Sequence, residues 1–249
     1  MNSLRAIALI AGRELQSYFY QPLAWVVLTG LLLLNGWNFW LVLANFNQAG
    51  VPADELLRFF FSGLLFWLPL LVSLPVLAMR LVAEERQTGT LETLLTAPVT
   101  EGQVAVGKYF GAFSFFTVLW SPLIVYIVLL DRLGGIDWSA AAGGFLGLLL
   151  VGGYLLAAAV FASALTRNQI VAAILGFVVV MALFLTPFLA AFVVRAEGAK
   201  HVFEYVDLLR TMDDFPRGVI DSRRILYPVS GTALLLFIAA RLVEASKGK

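Results

Sequence analysis

The sequence predicts an all-α membrane protein with six transmembrane helices, an N-terminal interfacial helix and a short cytoplasmic helix between spans 2 and 3. The first observation is composition, because 61% of the 249 residues are hydrophobic, 13% are charged and the mean hydropathy is +0.90. Soluble domains are about 45–50% apolar and about 25% charged, so a soluble fold is excluded. The other two observations are six long apolar stretches and one long polar segment between the second and the third stretch.

Each span is predicted from length, because a bilayer core of about 30 Å takes about 20 apolar residues per helix. The six stretches are approximately residues 23–46, 57–79, 103–130, 140–165, 168–194 and 225–243. Only Arg58, Lys108 and Arg241, all close to span ends, interrupt them with an ionisable side chain. Residues 1–249 therefore form one transmembrane domain.

Charge and cysteine content exclude several classes of protein. The net charge is only +1, so no basic field favours nucleic acid as a partner. Cysteine is absent and His201 is the single histidine, which excludes disulfides, thiol catalysis and Cys/His metal sites. Arg13 and Glu14 interrupt the N-terminal apolar stretch, so we expect no cleaved signal peptide.

The distribution of charge predicts the orientation. Cations outnumber anions in the segments that would be cytoplasmic with the N-terminus inside, so both termini are predicted to be cytoplasmic. Arg223 and Arg224 oppose this assignment, but the even number of spans and the long loop before them outweigh it.

Residues 3–19 are predicted to form a helix lying flat on the cytoplasmic leaflet. Their apolar residues recur at spacings of three and four and are opposed by polar ones. An N-terminal extension of the first span stays open, with a break at Gln21-Pro22. The apolar stripe comprises Leu4, Ile7, Ala8, Ala11, Leu15 and Tyr18.

Residues 195–224 form the longest predicted outer segment, and their pattern indicates an amphipathic helix at the outer interface. A cap over an exit, a site for an extracytoplasmic partner and an anchored connector all stay open. Gly143 and Gly147 have the GxxxG spacing that lets another helix approach closely. The stripe comprises Val202, Tyr205, Val206, Leu209 and Met212.

Asn35, Asn38 and Asn45 lie roughly on one face of the first span. Buried amides of this kind either line a transport path or form hydrogen bonds between helices. The spacing does not separate these two roles.

The polar segment 84–98 is organised as a helix. Leu91, Leu94 and Leu95 share one face, Glu92 lies near the N-terminus, where the helix dipole favours an anion, and Pro98 ends the pattern. Thr100 and Gln103 then have capping-box spacing, so the third span should start there with a fixed direction. Spacing alone leaves a partner-binding helix and a solvated connector equally open.

Residues 102–108 match most of a phosphate-binding loop, GxxxxGK. Tyr109 stands where a Ser or Thr is required, no strand precedes the match, and a membrane helix follows it. We therefore expect no nucleotide site, and any ATPase must be another polypeptide.

The apolar spans separate the remaining functions. Proton-coupled transport usually requires acidic or basic side chains within the membrane, and an intramembrane hydrolase requires a nucleophile with a base or a metal. The span interiors offer neither. A subunit driven by a separate motor and a non-transporting scaffold or signalling subunit of a larger assembly remain.

Two runs carry a family resemblance. EERQTGTLETLLTAPV, residues 84–99, resembles the segment after the second span in permeases of type-2 ATP-binding-cassette exporters, particularly the gliding-motility-like subfamily. The run from Phe215 to Tyr227, with Arg217, Gly218 and Asp221, is similar to the outer motif of that subfamily. Gln87, Pro216 and Ser222 depart from the pattern, which puts local contacts in doubt.

The resemblance implies a half-transporter in a bacterial inner membrane: two permease chains, the same or related, with two cytoplasmic ABC ATPase subunits. ATP and Mg²⁺ would be bound by the ATPase, whereas this chain would bind no cofactor and would not be an enzyme. The cargo, and any extracytoplasmic accessory protein, stay open. The implied cytoplasmic coupling helix between spans 2 and 3 comprises Glu84, Glu85, Arg86, Gly89, Thr90, Glu92, Leu94, Leu95 and Pro98.

Overall fold

A computed structural model of the protein describes residues 3–49, 53–89, 99–188, 205–219 and 221–245. Within these ranges the chain is helical and contains no strand. A 3-10 turn, Phe215–Arg217, precedes the last helix. The helices are α1 (Ser3–Phe19), α2 (Pro22–Ala49), α3 (Ala53–Ser62), α4 (Leu64–Ala78), α5 (Ala83–Thr88), α6 (Glu101–Trp120), α7 (Leu123–Gly134), α8 (Trp138–Ala164), α9 (Gln169–Phe184), α10 (Leu208–Asp214) and α11 (Ser222–Glu244).

Five helical segments in the described ranges are long and apolar enough to cross a membrane. The prediction of six spans is therefore not confirmed. The difference lies in the predicted span 168–194, because α9 has 16 residues and residues 189–194 lie outside the described ranges. The five segments are Pro22–Asn45, Leu64–Thr88, Glu101–Arg132, Trp138–Ala164 and Ser222–Glu244.

The predicted span 57–79 is broken at Gly63, where the backbone is extended with ψ 145° between α3 and α4. A break inside an apolar bundle leaves a backbone carbonyl that needs a donor. The side-chain amide of Asn38 on α2 supplies it, donating from Nδ2 to the carbonyl of Phe60 at 3.0 Å. The second predicted span is therefore two helices joined by a turn.

The predicted span 103–130 is also two helices, because α6 ends at Trp120 and α7 begins after Pro122. Proline has no backbone N–H and cannot complete the ladder of the preceding turn. The hydroxyl of Ser121 donates to the carbonyl of Val118 at 2.8 Å and satisfies one of the freed groups.

The bundle packs around α8, whose residues from Val151 to Val160 are all buried. α9, α11 and α4 pack against it. Glycine permits these close approaches, since a Cβ at Gly152 would clash with the ring of Phe116. At its start, Asp137 caps α8 and accepts from the backbone of Ser139, whose hydroxyl also holds the pKa of the Asp137 carboxyl below its ordinary value.

The N-terminal helix α1 is confirmed as a helix, and it packs lengthwise along α6 in the same chain direction. Ile10 lies against Gly107, and Tyr18 stacks on Phe115 with 4.7 Å between the ring centroids. The predicted apolar stripe divides, because Leu4 is 76% exposed whereas Tyr18 is buried. Its placement on a membrane surface stays a prediction.

The predicted amphipathic helix over 195–224 takes another form in the described residues. α10 spans only seven residues, and the large apolar side chains buried there include Leu208, Met212 and Phe215 instead of the predicted stripe as a whole. A Cβ at Gly143 or Gly147 would contact Phe215. The GxxxG pair therefore receives the 3-10 turn instead of another spanning helix, and Val202 lies outside the described residues.

Candidate functional site

The candidate site is the junction where α5 meets the rest of the bundle, and it begins with a cap supplied by another helix. Val82, at the start of α5, has no side-chain cap of its own. The hydroxyl of Ser163 on α8 instead accepts from the backbone N–H of Val82 and of Ala83, at 3.3 and 3.2 Å. It also donates to the carbonyl of Met79 at 3.2 Å. One buried serine therefore holds the turn between α4 and α5.

Glu84 forms an ion pair with a residue of its own turn. Its carboxylate binds the guanidinium of Arg80 in a two-pronged pair, with distances of 2.6 and 2.8 Å. Both side chains are 31% exposed. This pair stiffens the turn between α4 and α5, because charge-assisted bidentate contacts have a fixed geometry.

Glu85 connects α5 to two other helices. Its Oε1 lies 2.8 Å from the ammonium of Lys108 on α6, and the same ammonium lies 2.7 Å from Oε1 of Glu14 on α1. Arg13 approaches Glu85 at 3.6 Å. The Lys108 side chain is 2% exposed and both carboxylates are 13% exposed, so one buried cation is shared by two anions.

Arg86 connects α5 to the ends of two further helices. Its Nη1 donates to the carbonyl of Ala164, the last residue of α8, at 2.5 Å. Its Nη2 donates to the carbonyl of Leu242 near the end of α11 at 2.7 Å. Helix C-termini carry unpaired carbonyls and a partial negative charge, so a guanidinium is well suited to hold two of them together.

The residues implied by the family resemblance therefore divide into two groups. Glu84, Glu85 and Arg86 face the bundle and make intramolecular contacts. Gly89 is exposed and has φ 73°, a left-handed conformation that ends α5 at Thr88. A continuous helix from 84 to 98 is therefore wrong at Gly89. Thr90, Glu92, Leu94, Leu95 and Pro98 lie outside the described residues.

The chain is described again from Val99, and the predicted capping box is confirmed. The backbone N–H of Gln103 donates to Thr100 Oγ1 at 3.3 Å, and the N–H of Thr100 donates to Gln103 Oε1 at 3.0 Å. The direction of α6 is therefore set at its first residue.

The phosphate-loop-like run 102–108 lies within α6 and is helical. Gly107, the last glycine of this run, and Gly111, four residues later, allow α1 to pack closely against α6. A Cβ at Gly107 would lie 2.8 Å from Ile10, and a Cβ at Gly111 would lie 2.6 Å from the Cβ of Glu14. Lys108 lies between these glycines in the sequence, and its ammonium contacts the carboxylates of Glu14 and Glu85.

Sequence reasoning missed Glu14, Lys108 and Ser163 as parts of this site. The available signal was the spacing of Gly107 and Gly111, a GxxxG pair that encloses a lysine. That spacing was obscured by its likeness to a phosphate loop. A polar cavity of about 330 Å³ lies beside the junction, with walls that include Arg13, Ser17 and Thr88.

The three asparagines of α2 do not act together. Asn38 bonds to the carbonyl of Phe60, as described above, whereas the Asn35 amide donates to Leu31 in its own helix at 3.0 Å and is buried. Asn45 is exposed and donates to Leu41. The contact of Asn38 is the interhelical kind, and the path interpretation stays a prediction.

The outer-motif residues occupy helix ends. Arg217 pairs with Asp213 at 2.8 Å, and Gly218 has φ 75° and ends the 3-10 turn. Asp221 caps α11 by accepting from the N–H of Arg223 at 2.9 Å. Arg58 on α3 also binds Asp213, with 3.3 Å between Nη2 and Oδ2. These contacts are structural: Arg58 joins α3 to α10, and the pair of Arg224 with Asp214, at 2.7 Å, joins α11 to α10.

Together, the fold and the junction define a class: a helical, multi-pass membrane protein whose spans meet at a charged turn next to a long polar segment. The chain matches the family model of the ABC-2 family transporter proteins over residues 20–204, and it belongs to that family. It is therefore a permease of an ABC transporter, and membership implies a partner ATPase. No curated protein matches the chain. The matched range contains α5 and Lys108, whereas Glu14 and the outer motif lie outside it.

Proposed function

We propose that this chain is the membrane-spanning half of a bacterial ATP-driven exporter of the gliding-motility-like subfamily. It pairs with a second permease chain in the inner membrane, with both termini in the cytoplasm. ATP is hydrolysed by a separate ABC ATPase that docks on residues 84–98. The chain itself binds no nucleotide and transfers the motion of the ATPase to its spans.

The main support is that two consecutive charged residues of α5, Glu85 and Arg86, together contact four other helices. Glu85 contacts α1 and α6 through Arg13 and Lys108, and Arg86 contacts α8 and α11 at their last turns. A solvated connector needs no such contacts, because exposed charges gain little from pairing. A turn that receives force needs them, since force passes only through contacts that resist displacement.

The test is isolation of the full chain from native membranes in mild detergent, with its associated proteins, followed by measurement of Mg-ATP hydrolysis. We expect an ATPase to accompany the chain and its hydrolysis to depend on the chain. The chain purified alone should show no turnover, and hydrolysis by the chain alone would contradict the proposal.

A matched pair of variants tests the docking surface. Gln87 on α5 and Gln16 on α1 are both exposed glutamines on helices. Gln87→Trp should reduce recovery of the ATPase because it alters the proposed docking face, whereas Gln16→Trp should not. Equal recovery with both variants would remove α5 from the docking surface. The absence of an ATPase from the native preparation would contradict the exporter function and would favour the scaffold or signalling alternative.

A further inference from the structure

Lys108 is a nearly fully buried cation at the edge of the polar cavity beside the junction, in a helix that is otherwise largely apolar. We propose that Lys108 is a positioning residue that makes α1, α5 and α6 move as one body, so that a displacement of α5 reaches α6. The inference deepens the proposed function and rests on it. It gives a role to the GxxxxGK run, which the family assignment leaves unexplained.

The charges of Lys108 and its two partners fix the relative position of three helices. A buried ammonium is costly unless it is paired and hydrogen-bonded. Lys108 meets that requirement through Glu14 at 2.7 Å and Glu85 at 2.8 Å, each from a different helix. Sliding either helix by one turn would leave a charge unpaired in a place with little water, so the three helices keep one register.

Close packing between α1 and α6 also opposes sliding. On the two sides of Lys108, Gly107 and Gly111 bring the backbone of α1 so close that no Cβ fits at either position. Ile10 and Glu14 occupy the space above these glycines. The interface therefore resists sliding by shape as well as by charge.

The other contacts of α5 are of a different kind. Arg80 and Glu84 belong to the same turn, and Glu84 also forms a side-chain hydrogen bond with Gln169 at the start of α9. Arg86 binds two neutral backbone carbonyls. A neutral carbonyl can replace one donor by another donor, or by water, at a lower cost than a buried carboxylate can. The junction is therefore held by buried ion pairs toward α1 and α6, and by hydrogen bonds to Ser163 and to two backbone carbonyls toward α8 and α11.

The experiment uses the cysteine-free chain, because introduced cysteines are then the only attachment sites for spin labels. One label pair joins Gln87 on α5 to Phe110 on α6, and a second pair joins Gln87 to Ala142 on α8, all exposed positions. Distances are measured by pulsed electron resonance in lipid nanodiscs. The chain is measured alone and with its co-purified ATPase, with and without Mg-ATP and vanadate.

The matched control is the neutral triple variant Glu14→Gln, Glu85→Gln and Lys108→Met. It removes all three charges together, so no buried charge is left unpaired and the melting temperature should stay near that of the parent. A purely structural role for Lys108 predicts no further change in this variant. The proposal predicts that the variant loses the fixed distance between α5 and α6.

In the native chain alone we expect a single narrow distance between positions 87 and 110, and in the triple variant a broad one. Equal widths would overturn the proposal, whether or not an ATPase is present. In the assembly, Mg-ATP with vanadate should shift the 87–142 distance but not the 87–110 distance. A nucleotide-dependent shift of 87–110 in the native assembly would also overturn it. Absence of any 87–142 shift would count against the proposed function alone, because the width measurement still decides the role of Lys108.

Discussion

The two ends of the bundle are held together in different ways. At the α5 junction, helices meet through a cation that is 2% exposed and carboxylates that are 13% exposed. At the outer-motif end, Phe215 packs against glycines of α8, while the ion pair of Arg217 with Asp213 is 42% and 29% exposed. Both ends use close packing against glycines, and the first end adds a nearly fully buried cation shared by two carboxylates.

The two ends therefore differ in how strictly they fix the register of their helices. Buried ion pairs are strongly directional and lose much free energy when one partner is removed, whereas exposed pairs contribute little. Apolar packing tolerates small shifts if volume is conserved. In the proposed function, force enters at the α5 junction, which is the end with the nearly fully buried cation.

The largest expected effect is at Lys108. Lys108→Met leaves Glu14 and Glu85 facing each other with only the exposed Arg13 nearby, and loss of one partner of a buried ion pair costs about 3–5 kcal/mol. Thermal unfolding in detergent, compared with the neutral triple variant, measures it. A melting temperature equal to that of the parent would show that the junction contributes nothing to stability.

At the other end, Gly143→Ala should cost about 1–3 kcal/mol, because the new Cβ overlaps the backbone of Phe215 and the turn must shift. The matched control is Gly12→Ala, since a Cβ at Gly12 meets nothing within 4 Å. Gly12→Ala should stabilise α1 slightly through helix propensity. Thermal unfolding compares the two, and equal effects would contradict the tight packing of the outer turn.

Ser163→Ala should cost about 1–2 kcal/mol, because it leaves the N–H groups of Val82 and Ala83 without an acceptor in a buried turn. Hydrogen exchange of these two amides should accelerate, while the amides within α6 should not change. Ser114→Ala serves as the control, since its hydroxyl donates to the carbonyl of Phe110 within its own helix. Unchanged exchange at 82 and 83 would remove Ser163 as the cap of α5.

The smallest effect is expected at Arg217. Its pair with Asp213 is substantially exposed, so Arg217→Gln should cost less than about 1 kcal/mol and the cost should fall with added salt. Thermal unfolding at low and high ionic strength measures it. A cost that approaches that of Lys108→Met would contradict the comparison between the two ends.

Local pattern predicted several features of the molecule. The capping box of Thr100 and Gln103 formed as its spacing indicated, and α1 begins at Ser3 and ends at Phe19, as its periodicity indicated. Five apolar segments have the length of a span. These features depend on residues that are near neighbours in the chain, so their periodicity and caps identify them.

Other features required contacts between distant residues. The break at Gly63 lies inside an uninterrupted apolar stretch, and its freed carbonyl is satisfied by Asn38 from another helix. Glu85 and Arg86 are predicted as docking residues in a polar run, yet the tertiary structure turns both toward the bundle. Periodicity cannot say which partner a charged side chain meets.

The long apolar stretches of the sequence are sufficient to predict a helical membrane protein, because unpaired backbone polar groups are too costly in hydrocarbon for other structures. The sequence also predicts that any nucleotide chemistry requires a different polypeptide. The role of Lys108 in joining α1, α5 and α6, in contrast, is visible only in the folded bundle. That contact brings together Glu14, Glu85 and Lys108 from three separate parts of the chain, and a buried charge has no local signature that names its partner.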